Sequence, residues 1–142
     1  MKTNILRLAA AAALSIVSAG VSAQVAVVVN PKSPLATMTA DQVSGIFLGK
    51  SNTLPSGGTA LPTDLPDSAP AHDLFYTKVT GKSSAQVKAA WSRLVFSGKA
   101  TPPKELGSSA DVKKFVASNP DAIGYIEKSA VDSSVKVVFS AD

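Results

Sequence analysis

Five consecutive apolar residues, Val25-Ala26-Val27-Val28-Val29, constrain this chain more than any other stretch. Four of them are β-branched, which favours extended backbone. A run with no polar alternation has no face to give to water. It therefore reads as a strand covered on both sides, as in a parallel sheet flanked by helices. Asn30-Pro31-Lys32-Ser33-Pro34 ends it, because neither proline can donate to a ladder.

The rest of the chain supplies the helices such a strand requires. Thr39-Ala40-Asp41-Gln42 has capping-box spacing and opens a short helix to about Leu48, with Val43, Ile46 and Phe47 inward. Gly49 suits a left-handed end. Ser51 to Thr59 is a turn-rich loop, and Ala60 to Leu65 a short strand interrupted by Pro62. Asp67 or Ser68 then opens a helix that buries Leu74, Phe75 and Val79 and stops at Gly81. A second capping box, Ser83 to Gln86, starts the clearest helix. Its stripe is Val87, Ala90, Trp91, Leu94 and Val95, and Gly98 stops it. Thr101-Pro102-Pro103 is an extended linker. Ser108 or Ser109 caps a helix from Asp111 to Ala117, with Val112, Phe115 and Val116 inward. Ile123 to Ile126 and Val135 to Phe139 read as further strands. Strands alternating with helices place the chain in the α/β class.

Composition removes several kinds of chemistry. The chain has no cysteine and one histidine, His72. That excludes disulfides, thiolate metal sites, a cysteine nucleophile and a cysteine-linked lipid anchor, and leaves no multi-histidine metal centre. No cofactor is expected. Residues 1–23 have the pattern of a secretory signal: Lys2 and Arg7, an alanine-rich apolar run from Leu8, and Val21-Ser22-Ala23 before Gln24. The competing reading is a membrane anchor. The run is short and holds three serines and a glycine, against the ~20 apolar residues that a span needs. Residues 24–142 then form one domain outside the cytoplasm, in the periplasm, with no membrane anchor after cleavage. Part of the formal charge of +4 lies on Lys2 and Arg7. No basic run exceeds Lys113-Lys114, and nothing calls for nucleic acid.

Candidate chemistry is sparse. Trp91 and Tyr125 read as packing residues. Ser68, His72 and Asp73 suggest a catalytic triad only at first sight. Asp73 adjoins His72 and points about 100° away around a helix. A triad needs its acid on the far side of the imidazole. No G-x-S-x-G elbow occurs. Asp64 and Asp67 form no recognisable pair. No constellation for an enzyme emerges. The helix start near Ser68 is the better candidate, since free N–H groups and the dipole attract anions. Ser68 would add a hydroxyl and His72 a second donor. The competing reading makes Ser68 an N-cap and nothing more.

The order of three stretches resembles the phosphate-binding proteins of bacterial ABC transporters. These are Val25 to Pro31, Met38 to Lys50 with Ile46-Phe47-Leu48-Gly49-Lys50, and the helix start from Ser68 to Tyr76. Asn119-Pro120-Asp121-Ala122-Ile123-Gly124-Tyr125-Ile126 is similar to that family's N-P-x-A-I-G-Y-V stretch. The resemblance covers nearly all of residues 24–142. It implies a single periplasmic-binding-protein-like lobe, a mixed sheet flanked by helices. Family members of the transporter type have two lobes and more than twice this length. The resemblance also implies an oxyanion site at Ser68, Ala69, Ala71 and His72. It departs from the family there. Counting back from Phe75, the family's Ser-Gly-Thr falls on Ala69-Pro70-Ala71 and its arginine on Leu65. Loss of a bidentate arginine costs on the order of 2–5 kcal/mol where a site is buried. The expectation is a substrate-binding-like protein that holds phosphate or another small oxyanion weakly. The alternative is a non-catalytic interaction module, with a protein partner or a second copy over the face the missing lobe would cover.

Overall fold

The computed structural model describes residues 24–141. The expected signal segment, residues 1–23, lies outside the described residues. Five strands form one mixed sheet: β1 (Val25–Val29), β2 (Leu61–Asp64), β3 (Lys104–Glu105), β4 (Ala122–Glu127) and β5 (Lys136–Ala141), in the order β3-β2-β4-β1-β5. The helices are α1 (Ala40–Phe47), α2 (Pro70–Phe75), α3 (Ser84–Phe96) and α4 (Ser109–Ser118). A π-helical turn, Tyr76–Thr80, continues α2.

The strand read from Val25 to Val29 is present, and all five residues are buried. Its pairing is not the parallel one expected. β1 runs antiparallel to both β4 and β5, and only β2 pairs in parallel, with β3 and β4. Burial on both faces depends on helices covering the sheet, not on strand direction. That is why the apolar run was legible and the pairing was not.

Alternation along β4 shows the two layers. Gly124 faces α4, where an added Cβ would sit 2.7 Å from Val112 Cγ1. Tyr125 points the other way, onto α1 and α2, with its ring stacked on Phe75 at 4.0 Å and edge-on to Phe47 at 5.9 Å. The end of β1 is tied to α4 by buried Asn30, whose Nδ2 donates to Val116 O (3.0 Å) and Ala117 O (3.1 Å). These are carbonyls of the last helical turn, where Asn119 N–H also donates to Val116 O.

Both expected capping boxes form, at Thr39 with Gln42 and at Ser83 with Gln86. Ser108 caps α4. Gly49, Gly81 and Gly98 take positive φ at the helix ends. α2 corrects the expectation. It starts at Pro70, not at Asp67 or Ser68, with Ala69 as an N-cap that makes no side-chain bond. Pro70 is the cause, because its ring pushes the preceding residue out of the helical region. Ala69 accordingly sits at φ −74° and ψ 129°. Ser68 is left in the turn closed by Ala69 N–H donating to Pro66 O.

Candidate functional site

The candidate site is built where β2 ends and α2 begins. Asp64, the last residue of β2, is its centre. Its Oδ2 accepts from the Tyr76 hydroxyl at 2.7 Å. Its Oδ1 accepts from the Tyr125 hydroxyl and from Leu65 N–H at 2.9 Å. The three donors come from the π turn, from β4 and from the strand's own continuation. These hydrogen bonds replace the water that enclosure takes from the carboxylate. The two hydroxyls respond in turn. Burial first, and the Asp64 charge second, hold Tyr76 and Tyr125 far above the ordinary phenol range.

His72 joins this centre to the surface. It is buried at 4% exposure in the first turn of α2. Its Nε2 lies 3.4 Å from Asp67 Oδ1 and 3.7 Å from Asp64 Oδ1. Its Nδ1 lies 3.0 Å from Ser84 Oγ. Ser84 donates its own hydrogen to Asp73 Oδ1. The hydroxyl therefore has only lone pairs for the imidazole, and Nδ1–H is the donor. A nucleophilic serine needs the reverse polarity, with its proton passing to the ring. Lys88 Nζ, 3.7 Å from Asp67 Oδ2, is the nearby cation on α3.

The four site residues expected from sequence fare differently. Ser68 is exposed in the turn. Ala69 is the N-cap, and its N–H is already used by Pro66 O. Ala71 is buried at 1% exposure. His72 N–H donates to Ala69 O, and Pro70 has no N–H, which thins the donor cradle at this helix start. His72 is the expected residue that the structure places at the centre of a network. Asp64 and Asp67, given no pairing from sequence, converge on the same imidazole nitrogen. The roles of Tyr76, Tyr125 and Ser84 were missed. Nothing local marks them, since they come from three elements that only the fold brings together.

Neither a family model nor a curated protein matches the sequence. Solved structures do. A phosphate ABC transporter substrate-binding protein with bound phosphate from Clostridium perfringens superposes with a TM-score of 0.66 at 24% identity, over 82% of this chain and 45% of that one. An ABC-type phosphate transport receptor from Vibrio cholerae gives 0.64 at 21% identity, over 82% and 47%. PstS from Borrelia burgdorferi gives 0.60 at 12% identity with the same coverage. This chain spans a little under half of each. It has the fold of a single periplasmic-binding-protein-like lobe, the lobe type from which phosphate-binding proteins of ABC transporters are built.

Proposed function

We propose that the chain is a periplasmic, single-lobe solute-binding protein of the phosphate-transport type. It takes phosphate, or another oxyanion that retains a hydrogen, at the start of α2. One observation carries this reading: the lobe fold is shared with proteins of that kind. Ser68 supplies a hydroxyl at the rim and Ala71 N–H a backbone donor, while buried His72, whose Nδ1–H goes to Ser84, holds Asp67 beneath the seat through Nε2. The carboxylates set the selectivity. Asp67 is 65% exposed in its side chain and faces the same rim. It repels a fully ionised anion and accepts from one that carries a proton. Sulfate is disfavoured on that ground, and phosphate is held weakly and in a salt-sensitive way.

The melting temperature of residues 24–142 in phosphate, sulfate and chloride at matched ionic strength tests this. A ligand that binds only the folded state raises it. A rise of a few degrees in phosphate alone, lost in His72→Gln and reduced in Ser68→Ala, is the expected result. An equal response to all three salts would remove the phosphate reading.

A second reading, an interaction module that has lost ligand binding, has its own support. Phe96 at the end of α3 is 95% exposed and Val95 is 50% exposed. The sequence pattern put Val95 in the buried stripe, and the structure leaves it outside. Large apolar side chains left in water together are a mark of contact surfaces. Self-association abolished by Phe96→Ser, measured by light scattering, would favour that reading.

A further inference from the structure

The molecule has a second concavity, away from Asp64 and His72. It lies between the end of α1, the start of β2 and the segment leaving α3, and its volume is about 960 Å³. That is at the upper end of the ~300–1,000 Å³ typical of small-molecule sites. It takes in Leu61 and Pro62, whereas the His72 network starts at Asp64, roughly 7 Å beyond Pro62 along β2.

Its charge is one-sided. Lys50, Lys99 and Lys104 line it, and no aspartate or glutamate does. Two carboxylates approach without lining it: Asp121 lies against Gly58, and Glu105 follows Lys104 in β3. Among the described residues, none of the three lysines has a carboxylate within 4.0 Å. Cations grouped without counter-charges repel one another, and an anion relieves that.

The wall is mixed: Ser51, Asn52, Thr59 and Thr101 are polar, and Trp91, Leu61 and Phe115 supply an apolar side. Leu61 is 45% exposed at the head of β2. Lys104 Nζ stands 5.0 Å above the Phe115 ring, an ammonium resting on an aromatic face. Trp91 is fixed by Nε1–H donating to Phe47 O at 2.8 Å. Gly49 makes room for it. A Cβ there would come within 2.9 Å of the Trp91 ring and 2.7 Å of Leu94 Cδ1, and φ is +76°. The wall is thus preformed, through a backbone conformation that glycine adopts without strain.

We propose that this groove is a binding site for a small amphiphilic anion: two or more phosphate or carboxylate groups on a flat apolar body. The lysines take the charges as separate points, and the aromatic walls take the body. A lone inorganic ion would leave the walls wet. An added peptide strand finds little to pair with, since the neighbouring edge strand β3 is two residues long.

Trp91 is the single tryptophan of the chain, so its indole N–H resonance in nitrogen–proton NMR reports on the groove directly. The probes are ADP, inorganic pyrophosphate and adenosine, without metal. ADP is expected to shift the resonance saturably. Pyrophosphate binds about tenfold more weakly, and adenosine does not saturate. A triple Lys50→Gln, Lys99→Gln, Lys104→Gln variant weakens ADP by roughly three- to a hundredfold, from about 1.4- to fivefold per exposed pair. The lysines are exposed, so the fold tolerates their replacement. The corresponding triple arginine variant keeps the charges and retains binding. His72→Gln leaves ADP affinity unchanged, which separates this site from the phosphate reading. An indole resonance unmoved by ADP overturns the proposal. So does a glutamine triple that binds like the parent, or pyrophosphate binding as tightly as ADP.

Discussion

The Tyr76 hydroxyl donates to Asp64 Oδ2 over 2.7 Å, joining the turn after α2 to the end of β2. Asp64 is the acceptor for Tyr125 as well, so one carboxylate holds a helix end and a central strand together. Removing it takes away the carboxylate to which both buried hydroxyls donate. Asp64→Ala is expected to cost about 2–3 kcal/mol, because the penalty falls on the orphaned donors. Tyr76→Phe costs less, about 1–2 kcal/mol, since Tyr125 and Leu65 N–H still serve the carboxylate. Urea unfolding of the two variants gives both values. Equal losses would mean that the Tyr76 contact alone carries the network.

The same cluster sets the alkaline limit of the fold. The chain has two tyrosines, and both are in it. In the unfolded chain they ionise near their ordinary value of 10.0, while burial and the Asp64 charge keep them neutral well above that in the folded state. Below that value both states hold the protons and the contribution to stability is constant. Above it the unfolded state releases protons that the folded state keeps, so stability falls as pH rises. Spectrophotometric titration should show no tyrosinate in the native protein as pH passes the ordinary range. Both tyrosines should then ionise together at the unfolding transition. A gradual rise near the ordinary value, with native circular dichroism, would contradict the burial.

Much of this fold was legible locally. The β1 run, the two capping boxes and the glycine stops each depend on a few adjacent residues, and each appears where the pattern puts it. What failed depended on distant parts. Strand direction could not be read from Val25 to Val29, because both faces are covered whichever way the neighbours run. The two-residue β3, just after the Thr101-Pro102-Pro103 linker, was not read as a strand, since its extended form comes from lying beside β2. Val95 matched the helical stripe but has nothing opposite it. At the site, His72 and Ser68 stood out as polar residues near a helix start. Of the Asp64 partners, Tyr125 read only as a packing residue and Tyr76 was given no role, because a hydroxyl that needs an acceptor leaves no trace in spacing. The shifted start of α2 was legible in principle, since Pro70 restrains Ala69 whatever the fold.

Gly124 is required by close packing, not by backbone freedom. An added Cβ would meet Thr63 Oγ1 at 2.4 Å and Val112 Cγ1 at 2.7 Å. Thr63 is fully buried and its hydroxyl donates to Ile123 O. Neither neighbour can retreat, with β2 on one side and α4 on the other. Gly124→Ala is expected to destabilise by about 1–3 kcal/mol, as overpacked cores do. Adding Thr63→Ser does not restore stability, because the hydroxyl remains. Adding Val112→Ala restores part of it. Thermal unfolding of the single and double variants tests this, and full stability in Gly124→Ala would show that α4 packs less closely than described.

Ala69 offers the opposite experiment, a gain. It holds the N-cap position of α2 with extended backbone and no side-chain bond. Serine there can accept from a backbone N–H in the first turn, which alanine cannot. Pro70 has already fixed the backbone, so little entropy is lost in placing the hydroxyl. Ala69→Ser is expected to raise stability by about 0.5–1 kcal/mol, read as a higher urea midpoint at unchanged slope. The same hydroxyl lies at the proposed phosphate seat, beside Ser68 and His72. If it caps the helix through Ala71 N–H, the stability gain appears in chloride and the phosphate response falls, because that N–H is the ligand's backbone donor. If it turns to the ligand, the phosphate-dependent rise in melting temperature increases instead. A variant no more stable than the parent in either salt would show that the first turn of α2 has no donor within reach of position 69.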